Sequence, residues 1–185
     1  NASSKLFEAC RSSNDALVEL LLILGIDPNL KDKNARTPLM FAAAAGSLRS
    51  VFVLIMSDAD VNAKDATGKT ALMFASQNGH HELIALLLEE KADANAIDAS
   101  GKTALMYAAS HSHEQAAITL LTATPSLKNI PSSKGKSPLQ TAASKNLVNL
   151  VQKLLESGVD IDTADQNNRT ALMAAVANDD IDMVK

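Results

Sequence analysis

The chain has 185 residues, 46% of them apolar and 21% charged, long enough to bury a core and too apolar to be disordered throughout. A net charge of −4 excludes a generic nucleic-acid binder, and aromatics at 3% with no Trp favour helices in small-residue contact over a β-sandwich. The lone cysteine, Cys10, excludes an intrachain disulfide framework and a cysteine-built zinc site, and it fits a reducing, cytoplasmic compartment.

In chain order, the first apolar stretch is Ala16 to Ile26. Its 11 residues include Glu19 and fall short of the about 20 that a membrane span needs. It lies in register with later helices, which favours a helix of the fold over the centre of a signal peptide. The phrase Thr37-Pro38-Leu39-Met40-Phe41-Ala42-Ala43 then recurs as Thr70-Ala71-Leu72-Met73-Phe74-Ala75-Ser76 and as Thr103-Ala104-Leu105-Met106-Tyr107-Ala108-Ala109. Two more copies begin at Ser137 and Thr170. The Thr or Ser positions are separated by 33, 33, 34 and 33 residues, and the position 33 before Thr37 is Ser4, ahead of Leu6, Ala9 and Cys10. Six units therefore share one frame, divided as 1–31, 32–64, 65–97, 98–131, 132–164 and 165–185.

Each unit reads as turn, helix, turn, helix. Thr or Ser caps the free N–H groups of the first helix, and Pro is tolerated just inside it. Leu39, Ala42 and Ala43 fall on one helical face, and the column Ala9, Ala42, Ala75, Ala108, Ala142, Ala175 lets neighbouring units approach closely. Gly46 and Gly79 break the chain before a second apolar helix such as Glu82 to Glu89. Asp65-Ala66-Thr67-Gly68 and Asp98-Ala99-Ser100-Gly101 carry the chemistry of hairpin-like turns.

The ends and one seam depart from this pattern. Unit 1 places Lys5, Glu8, Arg11 and Ser12 on outer positions, as a solvent-facing cap does. Between units 4 and 5 one residue is inserted within Thr124 to Pro131, where two prolines remove backbone donors and predict an irregular, weakly protected turn. Unit 6 reaches Lys185 with only Ile181, Met183 and Val184 of a second helix. The expectation is a natural chain that continues, and Leu154 and Leu155 poorly covered without it.

The 33-residue period, the phrase T-P/A-L-x-x-A-A, the Leu86-Leu87-Leu88 run and the turn Ala92-Asp93-Ala94-Asn95-Ala96 resemble ankyrin repeats over nearly the whole chain. The resemblance implies an all-α solenoid of stacked helix-turn-helix units linked by β-hairpin-like turns. One departure is consistent: the family often has His after T-P-L, whereas Met40, Met73, Met106, Gln140 and Met173 stand there. Thioether packing is expected to replace a hydrogen-bonding column.

Motifs that look chemical do not hold. Gly68-Lys69-Thr70, Gly101-Lys102-Thr103 and Gly135-Lys136-Ser137 imitate the end of a phosphate-binding loop, but Ala63, Ala96 and Ile130 stand where its first Gly belongs. His80 and His113 occupy equivalent inter-helix loops and predict a surface row, without the further ligands of a metal site. Asp160, Asp162 and Asp165 lack the spacing and Gly of a calcium loop. The reading is of no enzyme, no cofactor and no metal.

Two columns remain. Arg36, Lys69, Lys102, Lys136 and Arg169 precede each capping Thr or Ser, and Phe41, Phe74 and Tyr107 follow five positions after the basic residue in units 2 to 4. The rings either look toward the groove or pack between units; the spacing allows both. Stacked helix pairs make a solenoid with a long concave surface, and the family resemblance implies a non-catalytic module that holds a protein or peptide there. The candidate partner-binding residues are Arg36, Phe41, Lys69, Phe74, Gln77, Asn78, Lys102, Tyr107, Ser110 and His111. The expected partner carries acidic residues around an apolar anchor; nucleic acid and membrane are not expected, and the chain is expected to be a monomer. The alternative is a targeting segment of a larger enzyme or bacterial effector.

Overall fold

The computed structural model describes residues 2–177. Helices α1 (Ala2–Arg11) and α2 (Asp15–Ile23) form the first pair, α3 (Pro38–Ala45) and α4 (Leu48–Met56) the second, and α5 (Ala71–Gln77) and α6 (His81–Glu89) the third. They are followed by α7 (Ala104–Ser110) with α8 (Glu114–Ala123), α9 (Pro138–Ser144) with α10 (Val148–Glu156), and α11 (Ala171–Val176). Two layers result: α1, α3, α5, α7, α9 and α11 stack in order, and α2, α4, α6, α8 and α10 stack beside them. The all-α solenoid implied by the repeat is the observed architecture. Ile181, Met183 and Val184 lie outside the described residues.

Local chemistry sets these boundaries. Thr37, Thr70, Thr103, Ser137 and Thr170 are the N-caps of the first helices, each side-chain oxygen accepting the N–H of the third helical residue. Pro38 and Pro138 sit just inside. The column from Ala9 to Ala175 is at most 3% exposed, so small methyl groups line the joints between successive first helices. Lys5, Glu8, Arg11 and Ser12 are all exposed, as a cap requires.

The turns carry a second ladder. In four of them an aspartate Oδ1 accepts two backbone N–H groups of its own turn: Asp32 from Asn34 and Arg36, Asp65 from Thr67 and Lys69, Asp98 from Ser100 and Lys102, Asp165 from Asn167 and Arg169. Successive tips are joined by single backbone bonds, Ala66 to Asn34, Ala99 to Thr67 and Ser133 to Ser100, at 2.9–3.0 Å. These are the hairpin-like links, although no strand forms among the described residues.

Two expectations change in the folded chain. The column after Leu is not purely thioether packing: Met40 Sδ accepts the Thr37 N–H at 3.5 Å, and the buried Gln140 does more. Its Oε1 accepts the Ser137 N–H at 2.7 Å, while its Nε2 donates to the carbonyls of Thr163 and Arg169, tying unit 5 to unit 6. The histidines are not a free surface row. His80 is half-buried with Nε2 3.1 Å from the Ala44 carbonyl, and the rings of His80 and His113 lie directly against Gly46 and Gly79 of the preceding unit. Cys10 is fully buried, and burial pushes its thiol up to about 12, which disfavours the reactive thiolate.

The seam is a folded piece. Pro125–Asn129 make a 3-10 turn against α8 and α9, with Leu127 fully buried. What the insertion does interrupt is a set of side-chain ties between units. Asn29 and Asn62 each accept a backbone N–H from the next unit, of Asp60 and Asp93, and donate to the carbonyls of Asp58 and Lys91. Asn95 instead accepts only the Ser126 hydroxyl, and Lys128 reaches forward to the Ser157 carbonyl. Of the two leucines expected to be poorly covered, Leu154 is fully buried and Leu155 is 45% exposed.

Candidate functional site

The two sequence columns meet in space as stacked pairs. Arg36 lies 4.7 Å from the centroid of the Phe41 ring, with Arg11 of unit 1 also over that ring at 5.1 Å. Lys69 sits 5.5 Å from Phe74 and 4.5 Å from Tyr107, and Lys102 lies 5.6 Å from Tyr107. Each such contact contributes about 0.5–1 kcal/mol at partly exposed sites. Their larger effect is positional, because three basic side chains are laid in a row over a row of rings.

The rings themselves face inward. Phe41 is 9% and Tyr107 6% exposed, and only Phe74 is half-buried. Phe41 meets Phe7 edge-on at 5.5 Å, closing the joint between units 1 and 2. Of the two placements the spacing allowed, packing between units is the one observed for Phe41 and Tyr107, because the cations cover the faces the units leave open.

Tyr107 is also a brace. Its hydroxyl donates to Asp98 Oδ2 at 2.5 Å, and Asp98 is itself buried. Burial pushes the Asp98 carboxyl up, but the Tyr107 hydroxyl and the N–H groups of Lys102 and Ser100 outweigh it and hold the carboxyl below its ordinary value of 3.8. Burial and Asp98 together raise the Tyr107 hydroxyl well above 10.0. A carboxyl depressed in the folded state stabilises the fold above its unfolded value and loses that contribution as pH falls through the folded one. Tyr107→Phe is therefore expected to cost about 2 kcal/mol at neutral pH. The gap to the unsubstituted protein closes below pH 3.8, as denaturation midpoints across pH will show.

The flanking residues divide. Gln77 Oε1 accepts from Lys69 Nζ at 3.1 Å, fixing that ammonium from the helix side. Asn78 is exposed, its Nδ2 donating to the Phe74 carbonyl at 2.9 Å. Ser110 turns back to the Met106 carbonyl, and the exposed His111 places Nδ1 2.9 Å from the Tyr107 carbonyl with its ring stacked on Tyr107 at 6.4 Å. Arg36, Lys69 and Lys102 are half-exposed at the edge of this face.

Two features escaped the sequence reading. On the outer layer, Leu20 and Ile23 of α2, Leu24 at its C-terminal cap, and Phe52 and Met56 of α4 are 49–76% exposed. Counting the non-repeated positions of the second helices would have found them. The other is the turn of unit 5, where Ser132 breaks the column Asp32, Asp65, Asp98, Asp165. No helix of the described residues is long and apolar enough to cross a membrane.

A family model described as ankyrin repeats, three copies, matches residues 6–98, 39–129 and 123–185. A 52-residue stretch is 46% identical to the ankyrin repeat domain-containing protein EMB506, chloroplastic, of Arabidopsis thaliana; it covers 28% of this chain and 16% of that protein. Among solved structures, a chain in the complex of the Bd0816 predatory endopeptidase from Bdellovibrio bacteriovorus with immunity protein Bd3460 superposes with a TM-score of 0.86 at 29% identity. That match covers 97% of this chain and 94% of the other. The repeat phrase, the paired helices, the bonded tips and the family match agree: the chain belongs to the ankyrin repeat family.

Proposed function

We propose that the chain is a non-catalytic, monomeric protein-interaction module that holds a protein or peptide along the tips and first helices of units 2 to 4. The observation that carries this is the row of Arg36, Lys69 and Lys102 laid over Phe41, Phe74 and Tyr107. Cations already held by rings and by Gln77 lose little side-chain freedom on binding, which favours a partner with acidic residues. Phe74, half-buried on the face that Gln77 and Asn78 share, offers the contact for an apolar anchor, and Ser110 and His111 extend the face. Phe41 and Tyr107 serve the site from beneath, as supports for the charges.

The test removes charge without placing new carboxylates beside Asp65 and Asp98. Partner capture by the unsubstituted chain is compared with capture by Lys69→Gln/Lys102→Gln. Association is expected to slow about tenfold at low salt, with a smaller difference at physiological salt, where the Debye length is about 8 Å. Equal association rates would remove the row from the interface.

The likeness to a chain in an endopeptidase–immunity complex supports a second reading, in which the partner is a folded enzyme. Inhibition of an endopeptidase from the same organism by stoichiometric amounts of the chain would favour it.

A further inference from the structure

Unit 5 keeps the turn and lacks its acceptor. Ser132 donates its N–H to the Lys136 carbonyl at 3.0 Å and Gly135 donates to the Ser132 carbonyl at 2.8 Å, as Asp98 and Gly101 do at 3.1 and 3.0 Å one unit earlier. The backbone is therefore the same. In the four other turns the second and fourth residues after the aspartate give their N–H groups to its Oδ1. Here those groups belong to Lys134 and Lys136, and neither finds an acceptor among the described residues. Neighbouring tips hold the turn from both sides, through Ser133 to Ser100 and through Gln166 to the Lys134 and Ser133 carbonyls.

The surroundings are cationic. A cleft of about 360 Å³ is lined by Lys102, Lys134, Lys136 and Arg169, with Asp165 the one carboxylate on its wall. Asp165 is already engaged by its own turn and by Arg169 at 3.5 Å. Lys136 has no aspartate in its turn, and Thr141 stands where Phe74 and Tyr107 stack on their lysines. Its Nζ donates to Ser144 Oγ at 3.2 Å. Burial first, and then Arg169, Lys145 and Lys102, push its ammonium below its ordinary value, against the pull of Asp165.

The geometry points to a carboxylate-binding subsite at residues 132–136, filled by an aspartate or glutamate side chain of the bound protein partner. A carboxylate oxygen accepting the Lys134 and Lys136 N–H groups would stand where Asp98 Oδ1 stands in the turn before. That correspondence selects a carboxylate, since the same backbone receives one in four other copies. The partner's acid would complete the column and neutralise Lys136. This inference rests on the reading of the chain as a binder of an acidic protein segment, and it adds a contact beyond units 2 to 4.

The experiment uses the full chain and its Ser132→Asp variant, which supplies the missing carboxylate in cis. A capped peptide with one aspartate in a glycine–serine background is titrated while backbone amide shifts are followed, with its asparagine counterpart and inorganic phosphate as parallel probes. The Lys134 and Lys136 amides are expected to shift saturably with the aspartate peptide, while those of Ser100 and Lys102 stay in place. In Ser132→Asp the affinity should fall at least tenfold, and the melting temperature should rise by about 2–4 °C. Amides that move no more than those of Ser100 and Lys102, an unaffected Ser132→Asp variant, or a response to phosphate alone would each overturn the assignment. Partner capture separates the two readings: normal capture by Ser132→Asp with capture lost in Lys69→Gln/Lys102→Gln sinks the subsite and leaves the module intact.

Discussion

Gly101→Ala is expected to destabilise the fold by about 2–5 kcal/mol, whereas Gly158→Ala costs only about 1–2 kcal/mol. Both glycines have positive φ, +70° and +77°, so both substitutions carry the conformational penalty of a left-handed residue. The difference is what a methyl group meets. At Gly158 nothing lies within 4 Å. At Gly101 the new Cβ would stand 2.6 Å from the backbone nitrogen of Ser133, with the Ser132 carbonyl carbon at 3.2 Å and Ser133 Cα at 3.3 Å. Backbone atoms cannot swing aside as a side chain can. Relief requires parting the tips of units 4 and 5 and giving up the bond from Ser133 to Ser100. Equilibrium unfolding in urea reads both variants; equal midpoints would mean that the tips separate without resistance.

Leu127→Ala is the second large effect, about 2–5 kcal/mol for removing a fully buried leucine. In a stack where each unit contacts only its neighbours, a defect at one joint weakens coupling across it. The loss should therefore appear as units 5 and 6 melting ahead of the rest, in a separate transition at lower urea. The comparison is Leu155→Ala, at 45% exposed, expected to stay within about 0.5 kcal/mol. A single unshifted transition for Leu127→Ala would show that the prolines, not the leucine, decide how the seam holds. Two prolines and an inserted residue predict an irregular turn there. Missing backbone donors argue for looseness there, and the buried Leu127 side chain works against it.

Much of this molecule is legible in its sequence. The Thr and Ser caps, the Pro just inside them and the alanine column act through neighbours three or four residues away along one helix. Local interactions of that kind repeat wherever the residues repeat, so the period alone determined the paired helices and their stacking. The basic column was equally plain. Its partners were not: i+3 and i+4 spacing places Phe41 and Tyr107 on a face, and only the adjoining units decide whether that face is open. Asp98 shows the same limit. Its role as acceptor for Tyr107, Ser100 and Lys102 needs the turn to close and the helix behind it to be in place. Ser132 was visible as a break in the aspartate column, yet its meaning depends on two N–H groups that converge only in the folded turn. The sequence by itself determined which elements form and in what order they stack, because helix caps and small-residue contacts are local. Only the tertiary structure decided which charges are neutralised, which rings are covered and where an acceptor is missing, because each of those depends on a turn closing, on the helix behind it and on the neighbouring unit, as with Tyr107 on Asp98 and Phe7 on Phe41.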